Sequence, residues 1–171
     1  NKLKETLTKK TYNLAVDQNV VVNWNETMEY KIENEKKKGQ IRIIKVDADH
    51  NEVRLEGVEF QIIDKNNHII ETIKTNSNGE AVTSRIPIGN YKIKEISLGT
   101  NEEYILNDDI KTINVEEEKI YNIQFENEHK KGNLKIHKVD LDNNTIPVPD
   151  VEFEVIDKDG YKYTAISDEN G

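Results

Sequence analysis

Apolar residues recur at every second position in a series of short runs, the two-residue period of a strand with one buried face. The run from Gly39 to Asp47 sets the pattern: Ile41 and Ile43 share a face, and Lys45 continues it. Alternating runs predict strands at roughly 40–47, 58–64, 68–75, 80–84, 90–97, 110–116 and 119–127, separated by turn residues such as Asp64-Lys-Asn-Asn67 and Asn76-Ser-Asn-Gly79. About seven short strands in about 90 residues predict an all-β antiparallel sandwich. No helix start signal is followed by an apolar 3.6-residue period.

Three strands carry a polar residue where the alternation points inward. Lys45 is in line with Ile41 and Ile43, Glu95 with Tyr91 and Ile93, and Asn127 with Ile123 and Phe125. A lone lysine in such a position is ordinarily a snorkelling or edge residue, but an amine, a carboxyl and a carboxamide meeting in one core have a chemistry of their own. Lysine in water titrates near 10.4 and is not a nucleophile at neutral pH. Desolvation disfavours the charged form of both Lys45 and Glu95, so each moves towards neutrality and the pair titrates together. Neutral Lys45 Nζ is then the candidate nucleophile, Asn127 Cγ the electrophile, and protonated Glu95 the assistant that hydrogen-bonds the carboxamide oxygen and shuttles protons while ammonia leaves. The product is an isopeptide bond, formed once per molecule.

The alternating pattern also repeats. Asn34-Glu-Lys-Lys-Lys-Gly39 is echoed by Asn127-Glu-His-Lys-Lys-Gly132, Ile41–Asp47 by Leu134–Asp140, and Val58–Lys65 by Val151–Lys158, each pair 93 residues apart. Lys2-Leu-Lys-Glu5 resembles Lys92-Ile-Lys-Glu95 at an offset of 90. Residues 1–35 therefore read as the C-terminal part of a preceding repeat, 39–129 as a complete domain, and 132–171 as the N-terminal part of a following repeat. The same residue types return in phase: Glu5 and Asn34 before the complete domain, Lys138 after it. The connectors Glu35–Lys38 and Glu128–Lys131 are short and charged, which suits semi-rigid, end-to-end repeats. The leading part lacks its lysine strand and the trailing part its Glu and Asn strands, so neither closes a crosslink of its own.

Composition narrows the function. Net charge is −9 with both signs interspersed, leaving no basic face for phosphates or anionic lipid, so nucleic acid is not an expected partner. With no cysteine, no disulfide can staple the fold. There is no apolar run of spanning length and no signal-peptide pattern; because the chain opens on Asn1, it is read as an excerpt and that lack carries no weight.

Other signals are weaker. Asp47-Ala-Asp-His-Asn51 and Asp140-Leu-Asp-Asn-Asn144 begin like calcium loops, but Glu52 stands where such a loop needs glycine and Val58 where it needs glutamate, so both read as Asx-rich turns. His50, His68, His129 and His137 lack ligand spacing, so neither a metal nor a cofactor is expected. Asn25-Glu-Thr27 and Asn143-Asn-Thr145 match the pattern of a glycosylation acceptor. No serine elbow or phosphate loop suggests an enzyme. Trp24 and Met28 read as core or edge packing.

The segments Gly39-x-Ile-x-Ile-x-Lys-x-Asp47, Leu55-Glu-Gly-Val-Glu-Phe60, Asn78-Gly79, Gly89-Asn-Tyr-Lys-Ile-Lys-Glu95 and Phe125-x-Asn127 resemble the B-type repeats of Gram-positive collagen adhesins (CnaB-like) and the related SpaA-type pilin domains. The resemblance covers the whole chain. It implies tandem prealbumin-like, inverse-immunoglobulin β-sandwiches and a stalk role on a cell-wall-anchored extracellular protein. It also implies an intramolecular bond with Lys45 as amine, Asn127 as acceptor and Glu95 as assistant; Glu5, Asn34 and Lys138 match those roles in the neighbouring repeats. Partners would be neighbouring repeats of the same polypeptide and host extracellular matrix. The family often has a Pro-x-Gly-Tyr-like segment after the glutamate, where this chain has Ser97-Leu-Gly-Thr-Asn-Glu-Glu-Tyr104, and Asp150 replaces the equivalent of Gly57. Two other readings remain: an adhesin module binding host matrix protein or glycan through a sheet edge or end loops, and head-to-tail complementation between the leading and trailing parts of different chains.

Overall fold

The computed structural model describes residues 1–171 and divides into two compact units, Asn1–Lys130 and Lys131–Gly171. The first opens with β1 (Lys2–Leu3) and β2 (Gln18–Asn19), then continues through β3 (Lys38–Asp47), β4 (Glu59–Asp64), β5 (Ile69–Lys74), β6 (Glu80–Val82), β7 (Ile86–Pro87), β8 (Gly89–Ser97), β9 (Ile110–Val115) and β10 (Ile120–Asn127). The second holds β11 (Glu152–Ile156) and β12 (Lys162–Ile166). The strands of residues 39–129 follow the sequence pattern closely, with β7 as a short addition paired with the start of β3, beyond which Ile88 N donates to Lys37 O.

Two four-stranded sheets face each other, one ordered β10-β3-β6 with β7 also on β3, the other β5-β4-β8-β9. Their inner faces supply Ile41, Ile43, Phe60, Ile62, Ile93, Val115 and Phe125, all fully or almost fully buried. The Phe60 and Phe125 rings meet across the sandwich with centroids 4.9 Å apart. Alternation along β3 is strict until its last residues, as a central strand with one face on the core requires.

One pairing departs from the antiparallel expectation. The last strand, β10, returns beside the first, β3, in parallel, with Phe125 opposite Lys45 and Asn127 opposite Asp47. Period-two alternation fixes which residues face inward but not strand direction. Here the chain leaves the second sheet at β9 and re-enters the first on the free side of β3.

Some backbone pairings recur between the segments that are alike in sequence. β1 and β2 pair Lys2 with Asn19 and Leu3 with Gln18, the register of Lys92 with Thr112 and Ile93 with Lys111 in β8 and β9. In the second unit Lys138 N donates to Gly171 O and Val148 N to Lys138 O, as Lys45 N does to Gly79 O and Leu55 N to Lys45 O. Asp150, at φ 60°, adopts the left-handed turn that Gly57 adopts at φ 81°. The Asx reading holds: Asp47 Oδ1 accepts from the amides of Asp49 and His50, and Asp140 Oδ1 from those of Asp142 and Asn143. Trp24 and Met28, read as core or edge packing, are not core residues. Trp24 is 92% exposed beside Asn25 at φ 59°, a turn tip with no sheet over it, and Met28 is also exposed.

Candidate functional site

Lys45, Glu95 and Asn127 are brought together in the core, each at most 1% exposed. In a parallel pair, residues in register point to the same side, so Lys45 and Phe125, and then Asp47 and Asn127, form a two-by-two patch on the inner face of β3 and β10. Glu95 reaches this patch from β8, where it pairs with Phe60 of β4.

The glutamate stands between the other two groups. Its Oε2 lies 3.7 Å from Lys45 Nζ, and its Oε1 accepts from Asn127 Nδ2 at 2.7 Å and from the Asn107 amide at 3.1 Å. Lys45 Nζ also lies 3.4 Å from the Val46 carbonyl. Glu95 Oε2 and Asn127 Oδ1 are buried without a hydrogen-bond partner. The expected contact between Glu95 and the carboxamide oxygen is thus replaced by one to the carboxamide nitrogen, the atom that must leave as ammonia.

Burial governs the ionisation. Desolvation pushes the Lys45 amine down to about 8, against the opposing attraction of Glu95. Desolvation also raises the Glu95 carboxyl, against the hydrogen bonds from Asn127 and Asn107 and the charge of Lys45. Both shifts favour an uncharged amine beside an uncharged acid. Each orphaned buried polar atom costs on the order of 1–3 kcal/mol, so the trio is a poor end state for a core and a good starting state for a reaction that consumes the amine and expels the carboxamide nitrogen.

The repeat supplies an internal comparison. Asn34 Nδ2 donates to Glu5 Oε2 at 2.5 Å, and the Ala15 amide donates to the same oxygen at 2.6 Å, matching the bonds of Asn127 and Asn107 to Glu95. Glu5 and Asn34 are only partly buried, and the Ala15 amide is the main influence that lowers the Glu5 carboxyl. Lys138 Nζ lies 3.4 Å from the Val139 carbonyl, as Lys45 Nζ does from Val46, but Lys138 is only partly buried in its own unit.

Sequence reasoning missed a neighbouring cluster. Asp47 is 1% exposed; its Oδ2 accepts from the Tyr104 hydroxyl at 2.8 Å and pairs with His129 Nε2 at 2.7 Å. Its signal was present, since Asp47 continues the phase of Ile41, Ile43 and Lys45, whereas nothing local connects it to Tyr104 or His129.

A two-sheet sandwich whose first and last strands run side by side over buried polar side chains defines this molecule as a prealbumin-like all-β domain protein. The family described as "SpaA: Prealbumin-like fold domain" matches residues 39–129, over half of the chain, and the chain belongs to that family. Among solved structures it is similar to the Bacillus anthracis TIE protein, with TM-score 0.71 and 24% identity over 99% of this chain and 33% of that one, a likeness of fold. Others are GBS52, the minor pilin in the Gram-positive pathogen Streptococcus agalactiae (TM-score 0.49, 21% identity, 63% of this chain and 52% of that one), and BcpA, the major pilin subunit of Bacillus cereus (0.48, 24%, 58% and 35%). The chain spans about a third of the first of these proteins. No curated protein matches it.

Proposed function

We propose that residues 39–129 form a load-bearing repeat of an extracellular bacterial stalk, in a pilin-like or adhesin protein, closed by an autocatalytic amide bond between Lys45 and Asn127. Residues 1–35 and 132–171 are parts of its neighbouring repeats. The observation that carries this reading is Glu95 spanning the gap, one oxygen towards Lys45 Nζ and the other bonded to Asn127 Nδ2. As neutral Nζ attacks Asn127 Cγ, the Glu95 carboxyl takes a proton from the new nitrogen at Oε2 and returns one at Oε1 to the departing nitrogen. The C–Nδ2 bond breaks, ammonia leaves, and Glu95 ends as it began. Contact within the fold replaces a collision, and oriented neighbours reach effective molarities of about 10⁵ M or more. The reaction turns over once, so the role is structural. Glu5, Asn34 and Lys138 take the corresponding roles when their own repeats are completed.

Intact-mass measurement of the purified chain tests this. The mass should be lower than the sequence mass by one ammonia, and Lys45→Ala should restore it. A wild-type mass equal to that of the sequence overturns the proposal.

A further inference from the structure

The chain buries a second polar cluster that the crosslinking chemistry does not consume. Asp47 follows Lys45 by two residues on the same face of β3 and is the register partner of Asn127. One of its oxygens accepts two backbone amides, and the other accepts from the hydroxyl of Tyr104 and pairs with His129. The Tyr104 and His129 rings lie together, with centroids 4.1 Å apart and planes 31° from parallel. Tyr104 sits between β8 and β9 and His129 just past β10.

Backbone bonds run through the same place. Lys130 N donates to Glu103 O and Ile105 N to Glu128 O, both at 2.8 Å, on either side of the antiparallel bridge between Tyr104 and His129. Further along, Asn107 Nδ2 donates to Glu126 O at 2.8 Å while its own amide holds Glu95. On the opposite side, Ala48 N donates to Asn127 O at 3.0 Å. Asn127 is therefore gripped between the end of β3 and the segment 103–107, and that segment also grips the glutamate.

The backbone part of this grip recurs where no dry core surrounds it. Tyr12 bridges Lys36, Lys37 N donates to Thr11 O, and Asn13 N to Glu35 O, flanking Asn34 beside Glu5. What the complete domain adds is the buried carboxylate that ties the segment 103–107 and the residues after β10 to the lysine strand.

We infer that Asp47, Tyr104 and His129 are positioning residues for the amide-forming reaction, a clamp that holds the Asn127 carboxamide in reach of Lys45 and on Glu95; this rests on the crosslink proposed above. The clamp touches none of the reacting atoms. It acts by fixing the backbone that carries the acceptor, and a misplacement of about 1 Å at such a site costs on the order of 10²-fold in rate.

The test follows ammonia loss by intact mass during a chase after cell-free synthesis of the full chain, for wild type, Tyr104→Phe, His129→Ala and His129→Gln. The same substitutions in a Lys45→Met background, which cannot crosslink, report the folded fraction by circular dichroism. Per folded molecule, Tyr104→Phe and His129→Ala should slow ammonia loss about tenfold or more, and His129→Gln, which keeps a side-chain N–H donor, should recover most of the rate. Rates that match wild type, or that fall only in proportion to the folded fraction, overturn the clamp alone. A wild type that never loses ammonia overturns the crosslink and leaves the clamp nothing to position, so the two failures are distinguishable.

Discussion

Two glutamates in this chain make nearly the same hydrogen bonds and are shifted in opposite directions. Glu5 and Glu95 each accept from an asparagine side chain and a backbone amide, yet the carboxyl of Glu5 is lowered and that of Glu95 is raised. The difference is desolvation, which at Glu95 outweighs every bond it accepts. The pH dependence of crosslinking follows. Acid protonates both groups and removes the nucleophile; alkali above the Lys45 value of about 8 strips the last shared proton and removes the acid. The rate of ammonia loss should trace a bell whose alkaline limb begins near there; a rate that climbs steadily to pH 10.5 would exclude Glu95 as proton carrier. Glu95→Gln should slow the reaction by roughly 10²–10⁴-fold in the same mass assay, the usual worth of a positioned acid–base group.

At the level of turns and strands, the repeat shows which glycines are needed. Gly79 has φ 67°, and a Cβ there would lie 2.6 Å from the Lys45 carbonyl and 3.0 Å from Arg54 Cβ. Its counterpart is Gly171, at φ 73°, where a Cβ would come closer still to the Lys138 carbonyl. Gly57, at φ 81°, has open space about it, with Lys74 Cε at 3.9 Å, and its counterpart is Asp150. Gly79→Ala should therefore lower stability to urea by more than the roughly 1–2 kcal/mol of a left-handed residue alone, because the lysine strand must shift as well. Gly57→Asp should cost no more than that left-handed penalty, and equal losses from the two would refute the distinction.

Across the whole domain, parallel pairing decides how load travels. The chain enters at the start of β3 and leaves at the end of β10, two adjacent strands running the same way. The proposed amide between Lys45 and Asn127 would carry force from one to the other and leave the 82-residue span between them slack. Closing a loop of that length is worth roughly 4.5 kcal/mol in chain-entropy terms. The mechanical consequence is larger. Pulled singly by its ends, the wild-type chain should lack the extension of that span, about 280 Å at about 3.4 Å per residue, and Lys45→Ala should release it. Equal extension in both would show that the bond bears no load.

Much of this was legible beforehand because a strand states its own facing. Ile41, Ile43 and Lys45 could be assigned to one side by counting alone, as could Glu95 and Asn127, and the offset of 93 residues matched Asn34 to Asn127 and Lys138 to Lys45, as the offset of 90 matched Glu5 to Glu95. The exposure of Trp24 was not legible, since no local pattern reports whether a second sheet lies over a segment. Nor was the direction of β10, the meeting of Tyr104 and His129 on Asp47, or which atom of the Asn127 carboxamide Glu95 would face.

The sequence by itself determined the inward-facing chemistry and its recurrence, because side-chain period and residue type are local properties. The tertiary structure alone decided which inward groups touch and how dry their surroundings are, because contact and desolvation depend on strands far apart in the chain being folded over one another.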